Sequence, residues 1–185
     1  VEVDIASEFR YRNPLVDSST LVIIISQSGE TSDSLAALKE AKRLGARTLA
    51  VTNVVGSSIA REAAQVIYTW AGPEIAVAST KAYTTQLLVM LMVSLYLAGL
   101  RESLPAERLQ QIVAELRNLP QKADAFLANG QAVKTFAELY GFNEDVFFIG
   151  RSLDYAVAME GALKLKEISY IHAEAYAAGE LKHGT

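Results

Sequence analysis

Hydroxyl side chains are concentrated in one short segment of the chain, Ser26-Gln27-Ser28-Gly29-Glu30-Thr31-Ser32. The segment follows an uninterrupted apolar run at residues 21–25 and precedes apolar residues at helical spacing, so it must connect a strand to a helix. The start of a helix carries unpaired backbone N–H groups and a partial positive charge. The pattern favours a site for a phosphate. A helix capped by Ser or Thr, without a ligand, is the alternative, because neither a P-loop lysine nor a GxGxxG pattern is present.

A second group of chemically useful side chains lies near the end of the chain. Glu160, Lys164 and Glu167 recur at spacings that place them on one face of a helix. A lysine beside a carboxylate can hold it ionised, and such a carboxylate can act as a general base where the face lines a cleft. The alternative is a solvated row of surface charges that stabilises the helix only slightly.

The two histidines are the chain's only imidazoles. His183, between a lysine and a glycine, could act as a general acid or base, or be a solvated loop residue. His172 lies between Ile171 and Ala173, which favours a hydrogen-bonded core or interface position. Neither histidine has a second imidazole at ligand spacing and the chain has no cysteine, so no metal site is expected.

Composition limits the remaining functions. A net charge of −4 at pH 7 and a pI near 5.3 argue against a nucleic-acid partner. The most apolar stretch, residues 87–100, is too short to span a bilayer and is expected to be a buried helix, so no membrane association is predicted. The lack of cysteine and of a signal peptide fits a cytoplasmic protein.

Strand-like and helix-like segments alternate along the chain, as a parallel sheet requires. Residues 1–6 also have a strand-like pattern. Ser79 and Thr80 are expected to cap a long helix that ends near residue 98, and two amphipathic helices are expected at 105–119 and 121–141. The other strands are expected at 21–25, 47–52, 65–70 and 146–150, and the other helices at 58–64 and 156–170. The predicted class is α/β.

A weak internal repeat relates residues 6–11 to residues 178–183. If the similarity is not due to chance, it predicts that the chain is one period of a duplicated protein. In that case the strand at 146–150 would pair with the strand at 21–25 and replace a first strand that is missing ahead of Val1.

Three segments together resemble the isomerase part of the glutamine:fructose-6-phosphate aminotransferases, whose isomerase part contains two sugar-isomerase (SIS) folds. They are Ser26-Gln27-Ser28-Gly29-Glu30-Thr31, residues 76–86, and residues 160–174 continued to His183. The resemblance implies a three-layer αβα sandwich with a parallel, flavodoxin-like sheet. It divides the chain into a first SIS unit at 1–102 without its first strand and helix, connecting helices at 103–143, and the start of a second SIS unit at 144–185.

The resemblance also implies roles for individual residues. The phosphate of glucose 6-phosphate, fructose 6-phosphate or glucosamine 6-phosphate would bind at four of them, with a backbone contact to the sugar from Val77. These four are Ser26, Gln27, Ser28 and Thr31. Glu167 would be the base that moves a proton between C1 and C2, and Lys164 would adjust its environment. His183 would open or close the sugar ring in the neighbouring subunit, which implies a homodimer; no metal or cofactor is implied.

The chain departs from this family in ways that limit its expected activity. The glutaminase domain, the first strand with its sugar-binding turn, and the C-terminal lysine that forms an imine with fructose 6-phosphate are not in the sequence, and Thr185 replaces a usual proline. We therefore expect phosphosugar binding at best, without complete transaminase activity. A non-catalytic regulatory module that binds sugar phosphates, or a folded fragment that binds nothing, are the alternatives.

Overall fold

The computed structural model describes residues 1–184 and divides into two compact units, Val1–Leu97 and Ala98–Thr185. The first unit contains the elements α1 (Ala6–Phe9), β1 (Leu21–Ser26), α2 (Ser32–Arg43), β2 (Arg47–Thr52), α3 (Ser58–Glu62), β3 (Gln65–Tyr68) and most of α4 (Lys81–Leu100). The second contains α5 (Ala106–Arg117), α6 (Leu119–Leu127), α7 (Gln131–Tyr140), β4 (Asp145–Gly150), α8 (Leu153–Ser169), β5 (His172–Ala177) and a 3-10 helix, Leu181–His183.

The first unit is built on a parallel sheet with strand order β1-β2-β3. The core lies between this sheet and helices α2 and α3, where Leu38 and Ile59 are fully buried against Ile24 and Ala50. The register pairs Ser26 with Thr52, so the loops that follow β1 and β2 leave the sheet at the same end. The carboxyl ends of parallel strands are where α/β proteins bind ligands.

The second unit has a parallel pair of strands, β4 and β5, joined by α8. Ala158 and Ala162 are buried on α8, and Gly161 lies so close to Phe148 of β4 that a Cβ would be 2.9 Å from the ring. Small residues on one face of α8 therefore let the helix approach the strands closely.

The α/β class with parallel sheets is confirmed, and β2 has the predicted bounds. The hypothesis that residues 146–150 pair with β1 is wrong, because within residues 1–184 β1 belongs to the sheet β1-β2-β3 and β4 belongs to a separate sheet with β5. This local pairing is the ordinary outcome of a strand–helix–strand unit. Strand β5 was not predicted.

Two other expectations about elements are wrong. In place of a strand at residues 1–6, the first regular element is the short helix α1. In place of two helices between residues 105 and 141, there are three. The helix expected at 121–141 is interrupted at Asn129 and Gly130, because both residues have low helix propensity.

Helix α4 is largely exposed, contrary to the buried helix expected at 87–100. Ala82 is its buried residue, whereas Met92 and Tyr96 are 55% and 68% exposed. The helix has little difference in polarity between its faces. An open cavity of about 510 Å³ is lined by Val93 and Tyr96 of the helix and by residues of the sheet such as Leu49 and Ile67. By length and composition alone, α4 is one helix that could cross a membrane, which is weak evidence since core helices of soluble proteins pass the same test. The prediction of no membrane association stays a prediction.

Candidate functional site

The predicted phosphate-binding residues lie in the loop between β1 and α2, which we call the anion loop (residues 26–32). Ser26 is buried, and its Oγ accepts the Gly29 N–H at 3.1 Å and shares a hydrogen bond with Thr31 Oγ1 at 3.3 Å. Ser28 Oγ accepts the Glu30 N–H at 3.2 Å. These bonds fold the loop back on itself, so the hydroxyls of Ser26 and Thr31 are brought together.

Gly29 allows the anion loop to contact the start of α3. Its φ is +66°, and a Cβ at this position would lie 2.1 Å from Ser57 Oγ. The Gly29 carbonyl accepts the Ile59 N–H at 2.9 Å, and the Glu30 carboxylate accepts the Ser58 N–H at 2.7 Å. The bonds from Ser58 hold the Glu30 carboxylate ionised and lower its pKa, with a smaller contribution from the positive charge of Arg61.

Thr31 occupies the N-cap position of α2, where a hydroxyl usually accepts a backbone N–H of the first turn. Its side chain makes no such hydrogen bond among residues 1–184. Its Oγ1 contacts Ser26 instead. The first-turn amides of α2 therefore lack the usual cap from this hydroxyl, and a free helix start next to hydroxyl groups is a suitable place for an anion. Asp33 in the same turn contributes an opposing negative charge.

Val77 lies in the loop before α4 and is 94% exposed. The predicted caps of α4 were Ser79 and Thr80, but the Ala82 N–H is accepted by Glu74 Oε2 at 3.1 Å. The same carboxylate oxygen lies 3.5 Å from Ser79 Oγ. Glu74 thus fixes the end of the loop that carries Val77.

The predicted charged cluster forms on α8. Lys164 Nζ lies 2.6 Å from Glu167 Oε2 and 3.4 Å from Glu160 Oε1. The hydrogen bond to Glu167 is the main cause of the raised pKa of Lys164, which burial opposes and Glu160 supports. The side chains of Lys164 and Glu160 are each 23% exposed, so the cluster is more shielded than a free surface row of charges.

The structure places the predicted catalytic and binding residues in different units. The anion loop and Val77 belong to the first unit, and Lys164, Glu167 and His183 belong to the second. His183 is exposed, and its Nε2 lies 3.8 Å from Glu180 Oε2.

His172 is hydrogen-bonded as expected, but it is exposed rather than part of a core. Its Nδ1 lies 2.8 Å from Asp145 Oδ1 on β4, and its Nε2 lies 3.4 Å from Glu174 Oε1 on β5. Tyr176 donates to Glu174 at 2.6 Å. The bond to Asp145 is the main cause of the raised pKa of His172. Within residues 1–184 no group of three or more His, Cys, Asp or Glu is arranged to hold a metal ion.

A comparison with protein-family models matches the SIS domain at residues 1–96 and 139–185. The chain belongs to the SIS domain family. The two matched segments contain the anion loop, Val77, the charged cluster on α8 and His183. The SIS fold implied by the sequence resemblance is thereby confirmed.

Relatives of this SIS chain include the isomerising glutamine–fructose-6-phosphate aminotransferases of Clostridium acetobutylicum, 63% identical over 185 residues, and Thermus thermophilus, 52% identical over 183 residues. The alignments cover 100% and 99% of this chain, which spans 30% of the length of each relative.

Solved structures show the same fold. The C-terminal domain of glucosamine-fructose-6-phosphate aminotransferase from Francisella tularensis has a TM-score of 0.95 and 44% identity, and the match covers 99% of this chain and 52% of that chain. Glucosamine-6-phosphate deaminase from Thermotoga maritima has a TM-score of 0.74 and 25% identity, and the match covers 97% and 52%. The SIS chain thus resembles about half of each of these structures.

Sequence reasoning missed the residues that support the SIS anion loop, including Glu30, Asn53 and Ser57. A usable signal exists for Asn53, because it directly follows β2 just as Gln27 follows the paired end of β1. Residues that leave neighbouring parallel strands at the same end meet there.

Proposed function

We propose that the chain binds the phosphate of a phosphosugar at the anion loop, through Ser26, Gln27, Ser28 and Thr31. The observation that carries the proposal is the start of α2, where the Thr31 hydroxyl contacts Ser26 and leaves the first-turn amides without a side-chain cap from Thr31. A dianionic phosphate would accept from these amides and hydroxyls and would be favoured by the helix dipole. Glucose 6-phosphate, fructose 6-phosphate and glucosamine 6-phosphate are the proposed ligands, and Val77 would contact the sugar through its backbone.

The proposed chemistry is the ketose–aldose isomerisation of the aminotransferases. Glu167 would remove a proton from C1 of the bound ketose or its imine, giving an enediol or enolamine, and return the proton to C2. The Lys164 ammonium beside it would hold the Glu167 side chain in place and adjust its electrostatic environment. The contact of 2.6 Å between the two side chains supports this role. His183 would open the sugar ring in the neighbouring subunit of a homodimer.

The proposed activity of the chain by itself is narrower. The relatives use glutamine and fructose 6-phosphate, by their names, and this chain spans 30% of their length. We propose that residues 1–185 form part of the isomerase portion of a cytoplasmic glutamine–fructose-6-phosphate transaminase. Alone, they would bind phosphosugar without making glucosamine 6-phosphate.

A non-catalytic module that senses sugar phosphates is the second candidate. It is favoured by the separation of the anion loop and the α8 cluster into two compact units, since binding would then need only the first unit. It does not account for Lys164 held between two carboxylates.

Calorimetric titration of the 185-residue chain with fructose 6-phosphate and glucose 6-phosphate tests the binding proposal. The expected result is binding that is lost in the double variant Ser28→Ala, Thr31→Ala. Fructose without phosphate is the control ligand and should not bind. Absence of binding by the folded chain, or equal binding by the double variant, would contradict the proposal.

A further inference from the structure

The backbone of Asn53 is attached to the anion loop. Its N–H donates to the Gln27 carbonyl at 3.1 Å, one step beyond the register pair of Ser26 and Thr52. The Thr52 hydroxyl also approaches the Gln27 carbonyl, at 3.4 Å. The position of Asn53 is therefore fixed with respect to the anion loop by bonds that do not depend on its own side chain.

The side chain of Asn53 reaches the turn that follows β3. Its Oδ1 accepts the Thr69 hydroxyl at 3.0 Å and the Ala71 N–H at 2.9 Å. Its Nδ2 donates to the Gly72 carbonyl at 2.7 Å. An amide side chain can make about four hydrogen bonds, and three of them are used on this one turn.

The turn needs such support, because its backbone is strained at Trp70 and the Trp70 side chain is exposed rather than packed in the core. Trp70 has a φ of +52° and is 76% exposed. A bulky residue in the left-handed region costs free energy and persists when its surroundings hold it there. Asn53 is bonded to the residues on both sides of Trp70.

The segment from this turn to α4 is held at two ends. Asn53 fixes the turn at residues 69–72, and Glu74 fixes the start of α4 through the Ala82 N–H. Between Glu74 and α4 lies Val77. We propose that Asn53 is a positioning residue that sets the segment of Val77 against a sugar whose phosphate is bound at the anion loop. This inference rests on the proposed function.

The chain carries its own probe, because Trp70 is its single tryptophan. In the unmodified chain, fructose 6-phosphate is expected to change the emission of Trp70. In Asn53→Ala, the anisotropy of Trp70 without ligand should fall, because the three side-chain hydrogen bonds to the turn are lost. The Kd for fructose 6-phosphate should rise about tenfold, because part of that loss must be made up when the sugar binds. The affinity for inorganic phosphate should stay within about twofold, as the backbone bond to Gln27 is kept.

Two further variants sharpen the test. Asn53→Asp keeps both bonds accepted by Oδ1 but replaces the donor to the Gly72 carbonyl with a second oxygen. Its affinity for fructose 6-phosphate should therefore lie between that of the unmodified chain and that of Asn53→Ala. If Asn53→Ala does not fold, the affinities of Asn53→Asp for fructose 6-phosphate and inorganic phosphate test the positioning role instead. Asn129→Ala is the matched control, because Asn129 Nδ2 donates to the Ala125 carbonyl in the other unit, and it should change neither affinity.

The outcomes separate the two proposals. Equal affinity of Asn53→Ala and the unmodified chain for fructose 6-phosphate, with unchanged Trp70 anisotropy, would overturn the positioning role alone. An equal loss of affinity for fructose 6-phosphate and inorganic phosphate would also overturn it, because Asn53 would then act on the anion loop itself. Failure of the unmodified chain to bind either ligand would overturn the proposed function as well.

Discussion

The ammonium nitrogen of Lys164 lies 2.6 Å from Oε2 of Glu167, one helical turn away on α8. The contact stabilises Lys164 as a cation, which is the direction of its raised pKa, and the hydrogen bond to Glu167 is the main cause. A proposed base that is held in place by a partner on its own helix does not need to be assembled by ligand binding. The pair is the main structural support for a catalytic role of α8.

Glu167→Gln is predicted to lower isomerase activity by about 10²- to 10⁴-fold, because an amide cannot accept the proton from C1. The measurement is the interconversion of fructose 6-phosphate and glucose 6-phosphate by a chimera in which residues 1–185 replace the matching segment of the Clostridium acetobutylicum enzyme. Lys164→Met should also lower the activity, whereas Lys166→Met on the same helix should not. Full activity in Glu167→Gln would remove the proposed base.

Gly29→Ala is predicted to destabilise the first unit by about 2–4 kcal/mol, from backbone strain at positive φ and from overlap with Ser57. Gly45→Ala is the matched control, since Gly45 has a φ of +86° with nothing within 4 Å of a Cβ. It should cost about 1–2 kcal/mol, for strain alone. The free energy of unfolding in urea measures both. Equal costs would mean that the Ser57 contact is relieved without loss.

His172 is predicted to make stability depend on pH near neutrality. Its pKa in the folded chain is raised, chiefly by Asp145. The stabilisation is therefore fully present below the ordinary histidine pKa of about 6.5 and is lost as pH rises through the folded value. The melting temperatures of the unmodified chain and His172→Gln should differ at pH 5.5 and converge at pH 8.5.

A second variant checks the cause of this pH dependence. Asp145→Asn removes the partner whose hydrogen bond contributes most to the shift and should reduce the difference at pH 5.5. Glu174, on the other side of the ring, should account for what remains. A difference that grows with pH would contradict the assignment.

Thr48→Val is predicted to cost about 0.5–1.5 kcal/mol, since it removes the hydroxyl that accepts a part-buried backbone N–H. Thr48 on β2 is 3% exposed, and its Oγ1 accepts the Ala64 N–H at 3.1 Å. Thr84→Val is the matched control in the same unit, because its exposed hydroxyl donates to the Thr80 carbonyl just before α4. It should change stability by less than about 0.5 kcal/mol. Chemical denaturation of both variants compares their free energies of unfolding, and similar costs would rule out the bond from Ala64 as the cause.

Strands β1 and β2 and the contact between Lys164 and Glu167 could be predicted from the sequence, because the local pattern is strong there. Residues 21–25 and 47–52 are apolar or β-branched runs, and their strands formed at these places. The spacing of Lys164 and Glu167 predicted their contact, because i,i+3 neighbours on a helix meet.

Features that depend on distant partners could not be predicted in the same way. The bonds of Asn53 to the turn after β3 join residues 16 to 19 positions apart. Strand β5 alternates small with polar residues and gives little apolar signal, and it forms because β4 supplies its hydrogen-bond partner. The exposure of α4 could not be predicted, because the sequence of an apolar helix does not specify which other residues cover it.

Strand β1 has a consequence for handling the protein. Within residues 1–184 it pairs on one side, with β2, so the backbone groups along its other side are available to a further strand. Its sequence, Leu-Val-Ile-Ile-Ile-Ser, has high β propensity and no charge or proline that would oppose intermolecular pairing, and Ile25 is 44% exposed. Concentrated or warmed samples of the chain should therefore assemble into cross-β aggregates that begin at β1, and a lysine in place of Val22 or Ile25 should slow that assembly.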